Sequence, residues 1–87
     1  MNRRQRRTLP RFFERPTRPD LRWVEVASLL RALGGEAHEG AGSRVRFVFA
    51  GSILSLHRPH PNPELRKYAV EDVRDFLAAR GIEPEES

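Results

Sequence analysis

Residues 44–57 read RVRFVFAGSILSLH, and this stretch decides the fold. Its first half alternates strictly: Val45, Phe47 and Phe49 fall on one face and Arg44, Arg46 and Val48 on the other, the period of a strand with one buried side. Gly51 and Ser52 supply a turn, and ILSLH follows as a second strand, near enough in sequence for an antiparallel hairpin. Both arginines then stand on the side of the sheet that the core does not claim.

Upstream, EAHEG (36–40) supplies a short edge strand and AGS (41–43) a turn. In LRWVEVASLLRALGG (21–35), Trp23, Val26, Ala27, Leu30 and Leu33 recur at helical spacing, and Gly34–Gly35 provides a left-handed stop. Downstream, Pro59, Pro61 and Pro63 cannot donate ladder hydrogen bonds, so the chain leaves the sheet after His57. A last helix lies in YAVEDVRDFLAARGIEPEES (68–87), with Val70, Val73, Phe76 and Leu77 on one side, ended by Gly81 and Pro84. The sum is a small α+β unit of order α-β-β-β-α. Two helices cover one face of a three-stranded antiparallel sheet and leave the other open.

The remaining segment is basic. Residues 1–22 hold eight arginines against Glu14 and Asp20, a balance of +6, while the rest of the chain is at −2. RQRRTLPRFFERP (4–16) can form a short helix around Leu9, Phe12 and Phe13 if Pro10 lies in its first turn. The organisation expected is a basic arm or short helix over 1–19, separable from a folded unit over 20–84, and an acidic tail over 85–87. Fifteen of the sixteen basic residues are Arg, whose planar fork suits phosphate, so a polyanionic partner fits the composition.

Length and composition narrow the function classes. Eighty-seven residues make one domain with a compact core and little room for a deep cofactor cleft. No apolar run approaches the ~20 residues of a membrane helix, and no apolar stretch follows the basic N-terminus as a secretory signal requires. A cytoplasmic protein is expected. The absence of cysteine removes disulfides, thiolate metal sites and cysteine nucleophiles.

WVEVASLLRALGG (23–35), GSRVRF (42–47), RPHPNPEL (58–65) and VEDVRDFLAARGI (70–82) together resemble the HicA family of toxins from toxin–antitoxin systems. The likeness spans roughly residues 20–84. It implies a fold similar to the double-stranded RNA-binding domain, cleavage of mRNA, and inhibition by a HicB-type antitoxin protein. The family pattern has a histidine directly after Gly-Ser, on the strand facing RNA, and takes it as catalytic. Here Ser43 is followed by Arg44, which binds phosphate but cannot act as a base.

Either another imidazole has taken over the chemistry, or the activity is weak or absent. His60 is the first candidate for general acid/base catalysis, since the family often has a second histidine after proline in this turn, and His57 is the second. Ser43, Arg44, Arg46 and Arg58 are the candidate RNA contacts, with surface ion pairing of Arg44, Arg46 and Arg58 to Glu39, Glu64 and their neighbours as the plainer alternative. His38 reads as an ordinary exposed residue. Two histidines three apart, flanked by prolines, do not make a metal site, so neither metal nor small-molecule cofactor is expected. The alternatives to a toxin are an RNA-binding module of the same fold without catalysis, and a protein-interaction subunit.

Overall fold

The computed structural model describes residues 1–84, and the tail expected over 85–87 lies outside the described residues. The elements are α1 (Arg3–Arg11), α2 (Trp23–Ala32), β1 (Glu36–Glu39), β2 (Arg44–Phe49), β3 (Ser52–His57) and α3 (Lys67–Ala79). From α2 onward the order is the α-β-β-β-α expected, with the strands arranged β1-β2-β3 and both pairings antiparallel. The β2–β3 turn falls at Ala50–Gly51, one residue earlier than the sequence suggests, because Gly51 takes the positive φ of 77° and Ser52 is already paired with Phe49.

The alternation read in residues 44–57 is realised without a slip. Val45, Phe47, Phe49, Leu54 and Leu56 are buried, whereas Arg44, Arg46, Ile53, Ser55 and His57 are exposed. Against the buried side pack Val26, Ala27 and Leu30 of α2 and Val70, Val73 and Leu77 of α3. Leu29, off the stripe expected for α2, is also fully buried, so α2 is apolar over a wider arc than one sheet contact needs.

The cause is α1, the short basic helix expected as one form of residues 1–19, which lies against α2. Leu9 and Phe12 enter the core, and Phe12 has no exposed surface. Gln5 Nε2 donates to Ser28 Oγ at 2.9 Å, and Arg11 Nη1 to Glu25 Oε2 at 2.9 Å, joining both ends of α1 to α2. Leu9 and Phe12 thus cover core surface that the rest of the chain shares. The position of Pro10 differs from that expected: it sits in the last turn of α1, not the first. There its missing N–H forfeits a single helical bond, and the chain tightens at once into Phe12 N–H to Leu9 C=O (3.2 Å) and Phe13 N–H to Pro10 C=O (3.0 Å). At the other end, Asn2 and Gln5 form a reciprocal capping box.

Gly35 is required by close approach. A Cβ there would stand 2.7 Å from the Phe49 ring and 2.9 Å from the Leu30 carbonyl oxygen, so the α2–β1 connection packs against the sheet only without a side chain.

Candidate functional site

Register assigns the residues of the open face to rows. Arg44 pairs with His57, Arg46 stands between His38 and Ser55, and Val48 between Glu36 and Ile53. Directly opposed residues on one face have Cβ atoms about 5 Å apart, so each arginine of β2 has an imidazole as its immediate neighbour. His57 adjoins Arg44 from β3, and His38 adjoins Arg46 from β1.

Two carboxylates of β1 are already engaged, on opposite faces. Glu36 Oε1 lies 2.8 Å from His38 Nε2 on the open side. Since a carboxylate only accepts, this bond places the proton on Nε2 and leaves Nδ1 as the free nitrogen of a neutral His38. Glu39 shares the buried side with its partner Val45 and binds Arg58 Nη1 at 3.0 Å.

Arg58 is therefore not with the other arginines. One residue past His57 it emerges on the helix-facing side, with its guanidinium 5.6 Å from the Trp23 ring centroid and its N–H donating to the Ser43 carbonyl at 2.7 Å. Of the four RNA contacts suggested by sequence, Arg44 and Arg46 share the open face. Arg58 is turned away into an ion pair, and Ser43 sits in the turn that leads into β2.

The proline-rich turn is pinned at both ends. Beyond the Arg58–Ser43 bond, Leu65 N–H donates to the Leu21 carbonyl and Trp23 N–H to the Pro63 carbonyl, each at 2.8 Å, in a short bridge between Arg22 and Glu64. Leu21 and Leu65 are buried beneath it. His60 rides exposed on the crest. It shares with His57 and Arg58 an open groove of about 360 Å³ between the β3 edge and the start of α3, to which Arg66, Tyr68 and Asp72 also contribute. The two histidines proposed for catalysis thus line one groove, but only His57 is on the sheet beside an arginine.

His38 is exposed, as expected, and its place beside Arg46 is the part not legible in the sequence. A four-residue strand is too short for its alternation to be phased alone, and only the register with Arg46 reveals its face. Among the described residues no three His, Asp or Glu side chains are grouped as metal ligands. No helix there is long and apolar enough to cross a membrane.

No curated protein and no solved structure matches the chain. A family model described as the HicA toxin of bacterial toxin–antitoxin systems matches residues 23–79, from the first residue of α2 to the last of α3. That match covers about two thirds of the chain and every strand of the sheet, and the chain belongs to the HicA toxin family.

Proposed function

We propose that this protein is an mRNA-cleaving toxin that acts in the cytoplasm and is held inactive by a cognate HicB-type antitoxin. The observation that carries the reading is the pair Arg44–His57 on the open face of a family domain: a fixed cation for phosphate beside a side chain able to move a proton. Arg44 stands where the family pattern expects the catalytic histidine, so it binds and polarises the phosphodiester, with Arg46 beside it. Proton transfer passes to the imidazoles. His57 ranks first because it adjoins Arg44, and His60 follows from the rim of the same groove. Cleavage by this route runs through attack of the ribose 2′-oxygen and requires no metal ion.

A second reading is favoured by Arg44 itself: a protein of this fold that grips RNA without cutting it. One experiment separates the two. The chain is expressed from an inducible promoter with and without the neighbouring antitoxin frame, while growth and mRNA integrity are followed. Growth arrest with fragmented mRNA, relieved by the antitoxin, is the expected result. The purified protein should cleave RNA in EDTA and leave 2′,3′-cyclic phosphate ends. Intact mRNA at high soluble expression sinks the toxin reading and leaves the silent binder.

A further inference from the structure

Cleavage through the 2′-oxygen needs two proton carriers, one to take the 2′-hydroxyl proton and one to protonate the leaving 5′-oxygen. Arg44 can be neither near neutral pH. We propose that His38, held by Glu36, is the general base of this reaction, acting across the Arg44–Arg46 pair from His57 as general acid. The assignment rests on the reading of the chain as an RNA-cleaving toxin and names the residue that takes over from the missing strand histidine.

Three features converge on His38. It shares the open face with both arginines and stands directly opposite Arg46. Its Nε2 is committed to Glu36 Oε1 at 2.8 Å, which fixes the ring and keeps the lone pair of the neutral form on Nδ1, the state a base must start from. The same carboxylate steadies the imidazolium once the proton arrives, as the acidic partner of a catalytic histidine does elsewhere. Glu39, the other carboxylate of β1, is occupied by Arg58 on the opposite side and does not compete.

The spacing also suits the chemistry. β1 and β3 flank β2, so the strands carrying His38 and His57 are about 10 Å apart, with the two arginines about 7 Å apart along the strand between them. A phosphodiester resting on Arg44 and Arg46 thus has an imidazole on either side. His38 Nδ1 takes the 2′-hydroxyl proton and the 2′-oxygen attacks phosphorus. The bond from phosphorus to the 5′-oxygen breaks, and the His57 imidazolium gives that oxygen its proton. The products are a 2′,3′-cyclic phosphate and a 5′-hydroxyl, and proton exchange with water resets both rings. No co-reactant is needed.

The test uses the full chain and a defined single-stranded RNA oligonucleotide, with kcat/KM measured from pH 5 to 9. The wild type should give a bell: the acidic limb from the base, the basic limb from the acid. The charged and titratable groups facing His38 are Glu36 on its own strand and Arg46 across from it, with Arg44 and His57 diagonal. His38→Ala should lower kcat/KM by about 10²- to 10³-fold and abolish the acidic limb, while RNA affinity stays within about twofold. His57→Ala should abolish the basic limb instead, and added imidazole should partly rescue His38→Ala. Glu36→Gln, which keeps an acceptor but removes the charge, should cost about tenfold. Unchanged melting curves will exclude a folding defect, as both side chains are exposed. A wild type that cleaves RNA and a His38→Ala protein that matches it within about twofold at every pH would overturn this assignment alone. A wild type that cleaves nothing would overturn the functional reading and the assignment together.

Discussion

The two faces of one sheet, built from the same fourteen residues, carry opposite kinds of side chain. The helix-covered face holds Val45, Phe47, Phe49, Leu54 and Leu56, all buried, while the open face holds Arg44, Arg46, Ser55 and His57, all exposed. Because side chains alternate along a strand, Arg46 and Ser55 are each seated between two core residues, and Arg44 and His57 each adjoin one, at the strand ends. The core and the proposed RNA face are thereby separated by a single residue step, and substitutions on the two faces should fall into two classes with little overlap.

The largest effect belongs to the buried face. Phe47 has no exposed surface and packs its ring 5.9 Å from that of Trp23, so Phe47→Ala removes a fully buried aromatic ring from the core. The expected loss is about 3–5 kcal/mol, a large share of the ~5–15 kcal/mol that holds a typical domain together. Urea denaturation should show the midpoint collapse. A Phe47→Ala protein of near-normal stability would mean that the helix-covered face is not the core.

On the open face the signature reverses. Arg44→Ala with Arg46→Ala should leave the melting temperature within about 3 °C of wild type, since neither side chain is buried. RNA affinity should fall, and the slope of log K against log salt should flatten by about 1.4 as two phosphate contacts are lost from a single strand. Arg58→Ala provides the contrast. Its guanidinium stacks on Trp23 and pairs with Glu39, so its loss should lower the melting temperature modestly and leave the salt slope alone. If Arg58→Ala flattens the slope as much as Arg46→Ala, the division by face fails.

Most of this division is legible in the sequence, for a physical reason. β2 and β3 are each six residues long with one face buried, so hydrophobic alternation phases them unambiguously, and the capping glycines Gly34 and Gly81 mark helix ends by their positive φ. Three things escaped. Four exposed arginines (Arg3, Arg4, Arg6 and Arg7) dominate the composition of α1 and suggest an arm or short helix, while its attachment depends on Leu9, Phe12 and the bonds of Gln5 and Arg11 to α2. Arg58 was grouped with Arg44 and Arg46 by residue type, although it lies one step beyond the end of β3, where parity sends it to the other side. The face of His38 is not legible because in a four-residue strand it is decided by long-range pairing, which spacing within the strand does not report.

The smallest effect should come from a group on neither face, in the loop that joins α1 to α2. Asp20 accepts two hydrogen bonds of 2.8 Å from Arg18, whose other partner is Glu14 at 3.0 Å. Those bonds, with the adjacent Arg18 charge, hold the Asp20 carboxyl down at about 2, against an ordinary value of 3.8. A carboxyl depressed in the folded state adds stability that is fully present above its unfolded pKa near 4 and is lost as pH falls through about 2. The pair is solvent-exposed and screened, so Asp20→Asn should lower the melting temperature at pH 7 by about 2 °C or less. Below pH 2 the wild-type carboxyl is protonated too, and the two proteins should melt together. A difference that persists unchanged in acid would show that Asp20 acts through loop geometry and not through its charge. A difference larger than that of Phe47→Ala would invert the order on which the comparison of the faces depends.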